Sequence, residues 1–284
     1  MDTQNVWFVT GASKGLGLSL VKQLLNGGYR VAATSRNADE LRRAVGTSSD
    51  DFLPLAVDLK TESSVADAVE KTVSRFGRID VVVNNAGYGL VGGLEELSDA
   101  EARENFEVNV FGTLNVIRQV MPQLRAQQSG HIFNISSIGG FTGAFPGFGI
   151  YCATKFAVEG FSESLSAEAK AFGINVTIVS PGYFRTEFLT SGSLAVPQNP
   201  IEAYQTVREV QAAHQQQING NQPGDPEKAV AALIRVASEA NPPLHLFLGQ
   251  DAYDLAYQKI EAVRNDLETW KDVTVSTGFE PANA

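Results

Sequence analysis

Between Val6 and Leu25 the chain reads VWFVTGASKGLGLSLVKQLL: an apolar run, three glycines at Gly11, Gly15 and Gly17, then an amphipathic stretch. The first run fits a buried strand, and the leucine spacing after it fits a helix. Glycines between the two let the backbone turn sharply and approach a phosphate with no Cβ in the way. The helix that follows offers unpaired N–H groups and its positive dipole end to the anion. The spacing is G-x-x-x-G-x-G rather than the commoner G-x-G-x-x-G. Gly11, Ser13, Lys14, Gly15, Leu16 and Gly17 are therefore expected to bind a dinucleotide.

The same alternation continues along the chain. Strands are expected at Val6–Thr10, Arg30–Thr34, Asp51–Val57, Val81–Asn84, His131–Ser136, Asn175–Ser180 and Leu244–Leu248. Helical segments fall near Leu16–Asn26, Ala38–Val45, Thr61–Phe76, Asp99–Gln127, Tyr151–Phe172 and Pro226–Ala240, with a further helix from Gln250 to about Thr269. Short apolar runs alternating with amphipathic stretches predict an α/β fold: a Rossmann-type, doubly wound parallel sheet of about seven strands with helices on both faces. Nothing resembles an interdomain linker, so residues 1–284 are expected to form one domain. Residues 187–223, polar and rich in Gln and Asn, fit the alternation least. They are expected to be an insertion with one or two short helices covering the substrate.

Composition narrows the function. A formal charge of -10 and a pI near 4.9 argue against nucleic-acid partners, which reward basic surfaces. The single Cys152 excludes an internal disulfide and a cysteine-based zinc site, and His131, His214 and His245 show no metal-ligand spacing, so no metal is expected. The start lacks the pattern of a signal peptide, and no run of about 18 apolar residues predicts a membrane span. A cytoplasmic setting is expected.

The second strand reports which dinucleotide. An acidic side chain around 20 residues past the glycines would bind the ribose hydroxyls of NAD. Here VAATSRN puts Ser35 at that place, followed by Arg36. With no carboxylate to repel a 2′-phosphate, the planar fork of Arg36 can grip it, and Lys14 adds a second positive charge. NADP(H) is the expected cofactor. Asp58, with Leu59 after it, ends the third strand, where its carboxylate can meet the adenine amine or cap the next helix. Asn85, Ala86 and Gly87 follow the fourth strand, where small residues and amides can line the ribose.

In GIYCATKFAVEGFSESL, Tyr151 and Lys155 stand four apart, one helical turn, on one face. A phenol has an ordinary pKa near 10, and a neighbouring ammonium favours its ionised form, preparing it to exchange a proton. HIFNISSIGG ends a strand on Ser136 and Ser137, placing a hydroxyl at the ligand-binding edge of the sheet. Asn109 interrupts an apolar helical face, an unfavourable place for an amide without a polar task.

Together these segments resemble the short-chain dehydrogenase/reductase family. The matches are TGASKGLG at Thr10–Gly17, NNAG at Asn84–Gly87, N-V-x-G at Asn109–Gly112, NISS at Asn134–Ser137, YCATK at Tyr151–Lys155 and PGYFRT at Pro181–Thr186, in the family's order. The resemblance implies that Tyr151 is the general acid/base and that Lys155 lowers its pKa and binds the nicotinamide ribose. It implies that Ser137 hydrogen-bonds the substrate oxygen, with Ser136 a weaker candidate, and that Asn109 helps hold a proton-relaying water. Pro181, Gly182, Phe184 and Thr186 would fix the nicotinamide carboxamide. One departure is length: Ser137 stands fourteen positions before Tyr151, one residue more than in many relatives.

The implied reaction is reversible hydride transfer between NADP(H) and a carbonyl or alcohol carbon of a small molecule. Leu90, Val91, Phe141, Phe145, Phe148, Tyr183, Phe188 and Leu189 are expected to surround the reacting carbon, which suits a bulky apolar substrate. An NAD-linked alcohol dehydrogenase and an NADPH-sensing regulator without turnover are the rival readings. The long helices at Asp99–Gln127 and Tyr151–Phe172 are faces that relatives use to form dimers or tetramers, so a homodimer or homotetramer is expected.

Overall fold

The computed structural model describes residues 5–190 and 192–279. Its strands are β1 (Val6–Val9), β2 (Arg30–Ser35), β3 (Phe52–Ala56), β4 (Val81–Asn84), β5 (Gly89–Leu90), β6 (Gly130–Ile135), β7 (Ile174–Pro181), β8 (Leu194–Ala195) and β9 (His245–Leu248). The helices are α1 (Gly15–Asn26), α2 (Ala38–Val45), α3 (Glu62–Phe76), α4 (Asp99–Phe106), α5 (Gly112–Gln127), α6 (Gly149–Ala169), α7 (Gln205–Ala212), α8 (Pro226–Ala237), α9 (Gln250–Thr269) and α10 (Lys271–Val275).

Seven strands make one parallel sheet in the order β3-β2-β1-β4-β6-β7-β9. Trp7 on β1 pairs with Val31 of β2 on one side and Val81 of β4 on the other. The chain leaves β1 toward one sheet edge and returns to its other side, so the strand order reverses there and opens a crevice at the carboxyl ends. Both faces are covered, which is why β1 and β4 are buried along their whole length. Val65 and Val69 of α3, Val116 and Val120 of α5 and Leu165 of α6 fill one face. Leu20 and Leu24 of α1, Leu41 of α2 and Val230 and Leu233 of α8 fill the other. This is the expected Rossmann-type doubly wound α/β fold.

Local signals explain the boundaries. The Asn37 side chain accepts hydrogen bonds from the Asp39 and Glu40 N–H groups, starting α2, and Gly46 at φ 77 ends it. Ser98 and Glu101 form a reciprocal capping box on α4. No described helix is long and apolar enough to cross a membrane.

The structure departs from the sequence reading in three places. The helix expected over Asp99–Gln127 is broken by a π turn at Glu107–Phe111, where the buried Asn109 amide reaches the neighbouring loop and α6. Two-residue strands β5 and β8 pair in parallel, joining the loop after β4 to the stretch after β7. Segments this short carry no periodicity to find. Finally, α10 forms beyond the expected end of α9.

Residues 187–223 contain a 3₁₀ turn at Glu187–Leu189, β8, α7 and a π turn at Ala213–Ile218. Carboxylates between β5 and α5 hold this stretch. Glu95 accepts the Tyr204 hydroxyl at 2.6 Å, Glu96 the Ile201 N–H at 2.8 Å and Glu101 the Gln198 N–H at 2.9 Å. Arg208 of α7 pairs with the buried Glu96.

Candidate active site

Loops from six strand ends, together with α6 and residues after β7, line one cavity of about 900 Å³. Gly11, Ser13, Lys14, Gly15 and Leu16 come from the turn after β1, Arg36 from the end of β2, and Asp58 and Leu59 from that of β3. Asn85, Ala86 and Gly87 follow β4, Ser137 follows β6, and Pro181, Gly182, Phe184 and Thr186 end or follow β7. Tyr151 and Lys155 face it from α6. Of the residues expected at the site, Gly17 and Asn109 are not on its wall.

Both act from behind. A Cβ at Gly17 would stand 2.5 Å from Asn85 Nδ2 and 2.5 Å from the Gly11 carbonyl oxygen, so the missing side chain is what lets the turn fold onto the loop after β4. Asn85 Nδ2 donates to the carbonyls of Thr10 and Gly11 at 3.0 and 2.9 Å, tying the two loops. Asn109 is 1 % exposed. Its Nδ2 donates to the Tyr88 carbonyl and Thr154 Oγ1 at 3.0 and 3.1 Å, and its Oδ1 accepts the Tyr88 N–H at 3.0 Å. The amide is committed to holding the loop, not aimed into the cavity. A Cβ on Gly87 would lie 3.0 Å from Asn109 Oδ1 and 3.5 Å from Lys155 Nζ, so this glycine keeps the loop close to both.

The wall fits a nicotinamide dinucleotide. α1 starts after Lys14 with no side-chain cap and no acidic residue in its first turn, leaving backbone N–H groups for an anion. Gly15 adopts φ +57, and a Cβ there would be 3.7 Å from Thr186 Cβ, so the glycine turn and the PGYFRT loop face each other closely. Lys14 Nζ donates to the Gly192 carbonyl at 2.8 Å, spanning from the turn to the stretch after β7. Arg36 is exposed and forms no ion pair among the described residues. Ser35 Oγ donates to the Asn37 carbonyl at 2.6 Å, so β2 ends without a carboxylate. Asp58 accepts from Lys60 N–H and Thr61 Oγ1 at 3.1 and 3.2 Å, shaping the turn into α3 while lining the cavity.

Ser136 and Ser137 part company here. Ser136 is buried, its Oγ donating to the Lys155 carbonyl at 3.4 Å. Ser137, in extended backbone, accepts the Gly139 N–H at 3.0 Å and lines the cavity with the Tyr151 phenol, whose pKa it holds down. The one-residue length difference is taken up by the loop before α6, and serine and phenol still meet.

Tyr151 is 8 % exposed, and Lys155 Nζ stands 5.9 Å from its ring centre while donating to the Ile135 carbonyl at 2.8 Å. Burial pushes Tyr151 far up, and the Ser137 hydrogen bond only partly opposes it. Burial also pushes Lys155 down to about 8, against the pull of the nearby Glu159.

The apolar lining is narrower than expected. Phe145, Phe148, Tyr183, Phe188 and Leu189 line the cavity, joined by Leu194. Leu90 and Val91 are packed out of reach at 1 and 0 % exposure, and Phe141 stacks edge-on with Phe247 at 5.2 Å. Sequence reasoning missed His214 and Gln222 on the wall; isolated in a Gln-rich stretch, neither carries a motif.

In sequence and fold the chain is similar to known proteins. The family model described as short chain dehydrogenase matches residues 5–195. The oxidoreductase BOA17 of Botryotinia fuckeliana is 37 % identical over 273 residues, covering 96 % of this chain and 98 % of that protein. The 3-ketodihydrosphingosine reductase of Bacteroides thetaiotaomicron is 37 % identical over 243 residues, 85 % of this chain and 86 % of that one. A crystal structure of a short-chain dehydrogenase from Streptomyces avermitilis superposes with a TM-score of 0.88 at 37 % identity, covering 97 and 98 % of the two chains. A 3-ketoacyl-(acyl-carrier-protein) reductase from Brucella melitensis complexed with NADH gives 0.72 at 25 % identity, covering 86 and 96 %. ElxO with NADP bound gives 0.70 at 26 %, with the same coverage.

Proposed function

This chain belongs to the short-chain dehydrogenase/reductase family, and from that footing we propose that it is an NADP(H)-dependent oxidoreductase interconverting a ketone or aldehyde and an alcohol. The observation that carries the reading is that Ser137, Tyr151 and Lys155 share the wall of the cavity that also holds the glycine turn, with Lys155 Nζ 5.9 Å from the phenol ring centre. The nicotinamide, when bound, supplies or accepts the hydride.

In reduction, Tyr151 donates its proton to the oxygen of the substrate carbonyl, and the Ser137 hydroxyl stabilises the charge developing there. The buried phenol stays protonated at neutral pH, the form a general acid requires. Lys155, its Nζ anchored on the Ile135 carbonyl, holds positive charge beside the ring and is placed to bind the ribose. Asn109 serves by fixing the Tyr88 loop against α6. Lys14, Arg36 and the first turn of α1 bind the phosphates. Thr186, with the backbone of Pro181, Gly182 and Phe184, receives the carboxamide. The preference for NADP(H) over NAD(H) rests on Arg36, which has no ion-pair partner among the described residues, and on a serine rather than an acid at Ser35.

Aromatic and aliphatic side chains on the wall suit a bulky apolar substrate. Residues 187–223 are its cover, held by the Glu96–Arg208 pair. Phe111 and Phe156, 47 and 43 % exposed, mark faces of the long helices through which copies of the chain associate as a dimer or tetramer. The compartment we assign is the cytoplasm.

The test is a screen of carbonyl compounds for oxidation of NADPH and, separately, NADH. Tyr151→Phe is expected to abolish turnover while NADPH still binds. Near-normal rates in that variant would overturn the assignment.

A further inference from the structure

The cavity wall opposite the glycine turn carries polar groups that the reaction does not use. His214 is 7 % exposed, and its Nδ1 lies 2.7 Å from the Val210 carbonyl oxygen. A carbonyl can only accept, so Nδ1 carries a ring proton, and a ring holding that proton alone accepts at Nε2. Nε2 stands 2.8 Å from the Tyr183 hydroxyl, which in that tautomer donates to it. With its proton committed, the Tyr183 oxygen has only lone pairs left to offer.

Tyr183 is held in place from three sides. Its N–H donates to Asp251 Oδ2 at 2.7 Å, its carbonyl accepts the Gly224 N–H at 3.0 Å, and its hydroxyl is fixed by His214. Two residues before Gly224, Gln222 lines the same cavity. It is 1 % exposed, and neither Oε1 nor Nε2 has a hydrogen-bond partner. A buried carboxamide with both ends unpaired is costly and rare unless something else pairs with it. The surroundings are otherwise apolar: the Phe148 ring centre lies 4.9 Å from His214 and 6.2 Å from Tyr151.

We propose that Tyr183, held by His214, and Gln222 form a second polar anchor that binds a hydroxyl group carried by the substrate away from its reacting carbon. A hydroxyl matches both partners, donating to the Tyr183 oxygen and accepting from Gln222 Nε2. A second ketone or an ether can only accept and leaves Tyr183 unused. An ammonium can only donate and brings an unpaired charge into an apolar wall. The substrate class is thus a hydroxylated apolar ketone, or the corresponding diol. The inference rests on the reaction proposed above for Tyr151. Phe148 bridges the two sites, so the hydroxyl and the carbonyl belong on one molecule a few bonds apart.

The experiment compares dodecan-2-one with its monohydroxylated derivatives, the hydroxyl stepped along the chain. It reads kcat/KM with NADPH and, in parallel, dissociation constants by calorimetry. A narrow range of spacings is expected to gain about tenfold or more over the parent in both measurements. In Gln222→Leu and in Tyr183→Phe that ratio is expected to fall to near one, whatever happens to absolute rates. If Tyr183→Phe does not fold, Gln222→Leu carries the test alone, because the Gln222 side chain makes no hydrogen bond among the described residues. No gain in binding at any spacing, or a gain that survives in the folded variants, overturns the anchor. Tighter binding of a hydroxylated ketone that is lost in the variants, with no ketone reduced, upholds the anchor and overturns the reaction instead.

Discussion

Replacing Arg36 by Ala tests the choice of cofactor at one atom group. The guanidinium follows β2, lines the cavity and has no acidic partner among the described residues, while the Ser35 hydroxyl is turned back onto Asn37. The nearest acids in sequence, Asp39 and Glu40, begin α2, and Asp39 is engaged by Arg42 at 3.5 Å. A phosphate there would meet a free cation and no competing carboxylate. Hydrogen bonds to a charged partner are worth roughly 1.5–3 kcal/mol, and exposure to water and salt keeps this one at the lower end. Arg36→Ala should therefore weaken NADPH about tenfold to thirtyfold and leave NADH within about twofold. Fluorescence titration of both nucleotides reads this directly, at low salt and again near 0.5 M. The NADPH effect should shrink at the higher salt, since the screening length falls from ~10 Å at 0.1 M. Equal losses for the two nucleotides, or no loss for NADPH, would refute the assignment. Lys14→Ala should do less to the preference, because one of its three ammonium donors is already engaged by the Gly192 carbonyl.

Three more outcomes follow from the geometry. His131 is 5 % exposed and burial holds its pKa down to about 4. Between about 6.5 and 4 the unfolded chain therefore binds a proton that the folded chain refuses, and stability falls with pH. From pH 7 to 5 the loss is about 2 kcal/mol, and urea midpoints of His131→Asn should lack that slope; identical slopes would sink the idea. Gly17→Ala pushes a methyl to 2.5 Å from the Gly11 carbonyl. It should lower stability by about 1–3 kcal/mol and weaken both nucleotides alike, and unchanged thermal melting would contradict it. The buried carboxylate of Glu96 is pushed up by desolvation, but the N–H groups of Gly93 and Ile201 and the Arg208 guanidinium outweigh this and hold its pKa low. Glu96→Gln should cost about 2–4 kcal/mol and expose residues 198–208 to limited proteolysis, whereas an unaltered cleavage pattern would show the pair is not what holds them.

How far the site could be read from sequence depended on how local each signal is. The glycine turn needs only a strand, a helix and the space between them, and all three are written in consecutive residues. Tyr151 and Lys155 share a helix face, so their spacing already brings them together. Ser137 required more, because two adjacent hydroxyls at a strand end point to opposite sides. Only packing shows that Ser136 turns onto the Lys155 carbonyl while Ser137 meets the phenol. Spacing also could not show burial, which pushes the pKa of Tyr151 up and that of Lys155 down.

The sequence by itself determined the parallel sheet, its order of elements and the edge at which chemistry gathers, because periodicity and glycine placement act within a few residues. Tertiary structure alone decided which groups face the cavity. Asn109 and Gly17 withdrew behind its wall to hold the loops. Tyr183, His214 and Gln222 came onto it from segments up to 39 residues apart. Contacts between distant segments depend on how whole layers pack, and no local pattern encodes that.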